Sequence, residues 1–151
     1  MFIIMEDVFA GMSKESVKAI RALFTEEQKR AGDLVYKSGD SADYFYILDK
    51  GHVTLSYGQL ASITYVLNQG GEGFGLSSLL RDSAYSATAQ CKSPSRIRKV
   101  EKDKLEEFLA RHPDAARAFF KRLAGTLFQR MIDSHNSLLS AYQGPGVPSY
   151  G

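Results

Sequence analysis

From Ser13 to Thr25 the apolar residues Val17, Ile20, Leu23 and Phe24 recur at helical spacing, with Ser13 placed to cap a first turn. The pattern predicts a short amphipathic helix over 13–25. From Gly32 to Val100 the period changes. Short β-branched and aromatic runs follow one another: Leu34-Val35-Tyr36, Tyr44-Phe45-Tyr46-Ile47-Leu48, Val53-Thr54-Leu55, Ile63-Thr64-Tyr65-Val66-Leu67 and Arg96-Ile97-Arg98. Turn signals divide them at Ser38-Gly39-Asp40, Lys50-Gly51, Tyr57-Gly58 and Asn68-Gln69-Gly70-Gly71. No long helix separates these strands, so they predict an antiparallel jelly-roll barrel over 32–100 rather than βαβ units.

At Lys102 the helical period returns. Residues 102–111 make one helix, closed before His112-Pro113, and Pro113 with Asp114 suits the first turn of the next. That second helix runs over 113–142, until Gln143-Gly144-Pro145-Gly146 breaks it, and is ~45 Å long. Its apolar stripe is Phe120, Leu123, Ala124, Leu127, Met131, His135, Leu138 and Leu139. A small barrel does not need so long a cover, so a homodimer seam along this helix is expected. The fold class read from the chain is mainly β with flanking α-helices, one domain over 1–142 and a flexible tail over 143–151.

Composition narrows the function classes. Apolar residues make up 44% of 151, enough for a real core. The 19 basic and 17 acidic residues leave +2, too little to imply a nucleic-acid or membrane partner. A lone Cys91 excludes an internal disulfide and reads as a small core residue on a strand. His52, His112 and His135 are scattered, and no phosphate loop, dinucleotide fingerprint or nucleophile elbow occurs. No enzyme, metal or cofactor is expected. Met1 to Met5 are apolar but are stopped at once by Glu6 and Asp7, without the basic start of a signal peptide. A cytoplasmic chain without a membrane partner is expected.

The run Gly32-Asp33-Leu34-Val35-Tyr36-Lys37-Ser38-Gly39-Asp40, continued by Asp43-Tyr44-Phe45-Tyr46-Ile47-Leu48 and Gly51-His52-Val53, resembles the first half of a cyclic nucleotide-binding domain. Tyr65-Val66-Leu67-Asn68-Gln69-Gly70-Gly71 and Phe74-Gly75 are similar to the strand and turn that lead into that family's phosphate-binding cassette. The resemblance covers about Phe9 to Leu139, in the layout of catabolite activator-type effector domains. It implies a regulatory module with a small-molecule effector.

The family's cassette carries a Glu that accepts the ribose 2′-hydroxyl and an Arg that pairs with the phosphate. Here it reads Phe74-Gly75-Leu76-Ser77-Ser78-Leu79-Leu80-Arg81-Asp82-Ser83-Ala84-Tyr85-Ser86-Ala87-Thr88. Without gaps, Leu76 stands for the Glu and Tyr85 for the Arg. Leu76 accepts no hydrogen bond, and neutral Tyr85 cannot balance a phosphate. The loss is ~5 kcal/mol, a few thousandfold in affinity. Arg81, in the same loop, is a candidate substitute cation. An uncharged or planar ligand against Tyr85 and the hydroxyls of Ser77, Ser78, Ser86 and Thr88 is another outcome. So the resemblance implies a pocket wall of Phe74, Gly75, Leu76, Ser77, Ser78, Tyr85, Ser86 and Thr88, with Leu123 and Leu127 as capping or seam residues. The competing expectation is an interaction module whose pocket is closed by its own side chains. Related regulators carry a helix-turn-helix after the long helix, where this sequence shows only Gln143 to Gly151. Lys121, Arg122 and Arg130, like Arg96, Arg98 and Lys99, read as solvated faces, so direct DNA binding is not expected.

Overall fold

Five consecutive apolar residues, Tyr44 to Leu48, break the alternation of a half-buried strand, and the fold shows why. The structure, a computed structural model, describes residues 8–58, 63–80 and 83–142. In chain order it forms helix α1 (Lys14–Arg21), strands β1 (Thr25–Lys29), β2 (Leu34–Tyr36), β3 (Tyr44–Lys50), β4 (Val53–Tyr57), β5 (Ile63–Leu67) and β6 (Gly73–Phe74), then a 3₁₀ turn (Leu76–Leu79). Strands β7 (Thr88–Cys91) and β8 (Ser95–Glu101) and helices α2 (Lys102–Arg111) and α3 (Pro113–Tyr142) follow. Two antiparallel four-stranded sheets, ordered β1-β8-β3-β6 and β2-β7-β4-β5, make the jelly roll. Tyr46 and Leu48 point into the space between the sheets, with Phe74, Ile97, Tyr36, Val53 and Leu67. Phe45 and Ile47 point the other way, under the helices, with Ile20, Leu105, Phe108 and Phe119. Both faces of β3 are covered, which is why it carries no polar alternation.

Two elements differ from the sequence expectation. Helical spacing carries α1 to residue 25, but the helix ends at Arg21 and β1 begins at Thr25. The Ser13 cap is as expected, its Oγ accepting the Ser16 N–H at 3.1 Å. Strand β1, with the sequence Thr-Glu-Glu-Gln-Lys, has no apolar alternation to announce it. It is held by its register on β8, from Thr25 opposite Lys99 to Lys29 opposite Ser95. Glu27 pairs with Lys99 at 2.6 Å and Glu26 with Arg96 at 3.4 Å. Burial alone would push the Glu27 carboxyl up, but hydrogen bonds from Lys99 and Lys29 outweigh it and hold the group below its ordinary value.

Helix α3 buries Ala115, Phe119, Leu123 and Thr126, all in its first half. Beyond that point Leu127, Phe128, Met131, Leu138, Leu139 and Tyr142 are exposed. No helix among the described residues is long and apolar enough to cross a membrane. The expected tail over 143–151 lies outside the described residues.

Candidate ligand site in the barrel

The interior of the barrel is occupied by rings. Tyr85, 5% exposed, stacks face to face on Tyr36 with centroids 3.7 Å apart and planes 12° apart. Tyr46 stacks on Phe74 at 5.2 Å, and Tyr36 lies 5.7 Å from Tyr46, joining the two pairs. The Tyr85 hydroxyl donates to the Tyr44 carbonyl at 2.7 Å and accepts the Tyr44 N–H at 3.1 Å. A phenol without that partner would leave a buried polar atom unsatisfied, so the hydroxyl fixes the depth at which the ring sits. Burial pushes the hydroxyls of Tyr36, Tyr46 and Tyr85 above the ordinary tyrosine value.

The turn beside these rings is built from glycine for a stated reason. Gly75 has φ +71°, and a Cβ there would lie 2.9 Å from the Tyr46 ring and 3.1 Å from the Tyr44 carbonyl. It opens the 3₁₀ turn, where the Ser78 N–H and hydroxyl both donate to the Gly75 carbonyl, at 3.1 and 2.7 Å. The segment around Tyr85 is sewn to the β2–β3 connection, Tyr85 N–H donating to the Asp40 carbonyl and Gly39 N–H to the Tyr85 carbonyl, each at 2.9 Å.

The residues expected to line one pocket have different surroundings among the described residues. Phe74 and Tyr85 lie inside the barrel, whereas Leu76 packs outside it with Leu123, against the cluster under the helices. Strand alternation would put Leu76 on the same side as Phe74, but left-handed Gly75 (φ +71°) and the 3₁₀ turn it opens break that alternation, and Leu76 faces the helical layer. Ser77 is half-buried, Ser86 is exposed, and the Thr88 hydroxyl accepts the Ser38 N–H at 3.0 Å. Leu127 is 50% exposed. Arg81 lies outside the described residues.

Arg130 is the residue that sequence reasoning misplaced. Expected on a solvated face, it is half-buried, donates from Nη2 to the Gly73 carbonyl at 2.6 Å, and lies over the Tyr65 ring at 5.2 Å. The signal was its spacing: it continues the buried row Ala115, Phe119, Leu123, Thr126 by four residues. It ties α3 to β5 and to the strand entering the cassette.

The family model for the cyclic nucleotide-binding domain matches residues 26–112. The chain belongs to this family. The catabolite activator protein of Thermus thermophilus superposes with a TM-score of 0.71 at 26% identity, over 88% of this chain and 62% of that one. A cyclic nucleotide-binding domain from Methylobacillus flagellatus gives 0.79 at 20% identity, over 92% of this chain and 79% of its own. The regulatory subunit of a cAMP-independent protein kinase A from Trypanosoma brucei gives 0.70 at 16%, over 87% and 47%. At those identities the last two are similar in fold alone. This chain thus spans about three fifths of the Thermus regulator. No curated protein matches the chain in sequence.

Within this cyclic nucleotide-binding domain, aromatic rings pack in the barrel interior, and the Ser78 and Thr88 hydroxyls bond backbone groups. Among the described residues no group of three or more histidines, cysteines and carboxylates is placed to hold a metal ion. His52 Nδ1 bonds Ser93 Oγ at 2.8 Å and His112 Nδ1 bonds the Phe108 carbonyl at 2.9 Å, each a local contact.

Proposed function

We propose that this chain is a regulatory module of the cyclic nucleotide-binding type that needs no small molecule in its barrel. Its own aromatic side chains take the space that related domains give to a ligand, and its output is self-association through α3. The observation that carries this reading is the Tyr85 ring, stacked on Tyr36 at 3.7 Å at the position of the family's phosphate-binding Arg, with its hydroxyl bonded twice to Tyr44. A sensor that took a cyclic nucleotide into the barrel would have to expel that ring and leave the Tyr44 backbone unpartnered. It would also lack the acceptor that Leu76 replaces. The kinase subunit of Trypanosoma brucei is cAMP-independent by name, so the fold is not tied to that ligand.

Self-association is supported by the exposed apolar residues of α3. Phe120, Leu127, Met131 and Leu138 follow one another at spacings of seven, four and seven residues, 46–52% exposed, along a helix seam. Arg130 holds this helix against the barrel through the Gly73 carbonyl and the Tyr65 ring, with the seam residues left exposed.

Thermal unfolding with millimolar cyclic AMP and cyclic GMP tests the first half of the proposal. The melting temperature is expected to stay constant. A ligand at 100 times its dissociation constant would stabilise the fold by ~2.7 kcal/mol, a rise of several degrees, and would overturn the reading. Sedimentation equilibrium tests the second half, with a mass of two chains expected.

A further inference from the structure

On the outer face of the β1-β8-β3 sheet, beside the end of α1, lies a cleft of about 400 Å³ lined by none of the rings that pack inside the barrel. Its apolar floor is Phe9, Phe24 and Ile47. Its charged wall is Arg21, Arg96, Arg98 and Asp49. Strand alternation explains the wall: Ile97 points into the barrel, so Arg96 and Arg98 on either side of it point out together. Sequence spacing suggested only a solvated face here.

Asp49 organises the two guanidinium groups. Its Oδ2 accepts a hydrogen bond from Nε of Arg98 at 2.6 Å and lies 3.6 Å from Nε of Arg96. The Asp49 side chain is only 18% exposed, against 38% for Arg98 and 44% for Arg96. A largely covered carboxylate therefore holds the inner edge of two arginines whose outer ends reach solvent. The terminal amino groups of Arg98 make no hydrogen bond among the described residues, and Arg96 makes ion pairs only, to Asp49 and to Glu26 at 3.4 Å. Arg21 adds a third guanidinium, 5.5 Å from the Phe9 ring centre. Ordering a long side chain opposes binding, and Asp49 has already met that cost for the pair.

We propose that this cleft binds a small organic anion, a phosphate monoester or carboxylate carried on a flat apolar group. The anion sits at the Arg96–Arg98 pair, where planar guanidinium donors suit a two-oxygen acceptor. The flat group lies on Phe9, Phe24 and Ile47. Cleft volume and mixed lining are those of a small-molecule site. This site is independent of the barrel, so a ligand-free barrel and an occupied cleft are compatible.

The test is a ¹⁵N-amide titration of the full 151-residue chain. The probes are phenyl phosphate, benzoate, inorganic phosphate and phenol, at constant ionic strength. Phenyl phosphate or benzoate is expected to shift the amides of Ile47, Gly70 and Gly71 saturably, and which of the two binds tighter assigns the anion. Inorganic phosphate and phenol should each bind about 10-fold weaker or not at all, since each offers half of the recognition. Arg98→Ala should weaken binding about 10–100-fold, and Arg98→Lys, which keeps the charge but not the fork, by less. Arg96→Ala, at a more exposed side chain, carries the same comparison if Arg98→Ala unfolds. The proposal is overturned by the absence of saturable shifts at these amides, by affinity unchanged in the arginine variants, or by equal binding of inorganic and phenyl phosphate.

Discussion

The barrel interior and the far half of α3 are both rich in large apolar side chains, yet they have opposite surroundings. Inside the barrel, Tyr36, Tyr46, Phe74 and Tyr85 are each less than 9% exposed and meet other rings. Along α3, Leu127, Phe128, Met131, Leu138, Leu139 and Tyr142 are 46–74% exposed and meet no element of their own chain to cover them among the described residues. The first region has used up its capacity for contact. The second has not. The difference separates a closed core from an exposed apolar surface, and Arg130, bonded to the Gly73 carbonyl at 2.6 Å, stands at the boundary between them.

Substitutions in the two regions should therefore act on different observables. Tyr85→Ala should have the largest effect, removing a buried ring and its stack at a cost of ~3–5 kcal/mol, read by urea unfolding. Tyr85→Phe keeps the ring but leaves the Tyr44 N–H and carbonyl without their phenol, a loss of ~1–2 kcal/mol by the same measurement. If the two variants lost equally, the hydroxyl rather than the packing would hold the interior. Arg130→Ala, at the boundary, should cost ~1–2 kcal/mol through its carbonyl and ring contacts.

A pH series examines the closed interior without mutation. The Tyr36, Tyr46 and Tyr85 hydroxyls titrate above the ordinary 10.0 in the folded chain because burial disfavours the phenolate. The unfolded chain then loses these protons first, so stability is whole below pH 10 and falls progressively as pH rises above it. Urea midpoints between pH 8 and 11 check the sign, and a flat profile would mean that the rings reach water. The smallest effect on the fold is expected from Met131→Glu combined with Leu138→Glu. The diluted chain should unfold within ~0.5 kcal/mol of the parent, while sedimentation falls from two chains to one.

Much of this architecture is legible in the residues. The strand runs around Tyr44–Leu48 and Val53–Leu55, the turn glycines Gly39 and Gly51 with φ of +94° and +113°, and the long C-terminal helix each follow from a local period or a local steric demand. Strand β1 was not legible, because Thr-Glu-Glu-Gln-Lys becomes a strand only when β8 supplies Lys99 and Arg96 diagonally across from its carboxylates. The candidate site divides in the same way. Sequence alone determined that Leu76 accepts no hydrogen bond and that Tyr85 carries no positive charge, since side-chain chemistry is a property of one position. That Tyr85 stacks on Tyr36 and bonds the Tyr44 backbone was decided by residues dozens of positions away along the chain. So was the fate of Arg130, and of Arg96 and Arg98, which read as solvated charges until a strand face and Asp49 bring them to one cleft. A hydroxyl's partner, a ring's stacking face and a guanidinium's neighbour are relations between distant residues, and only the closed barrel with its packed helices fixes those distances.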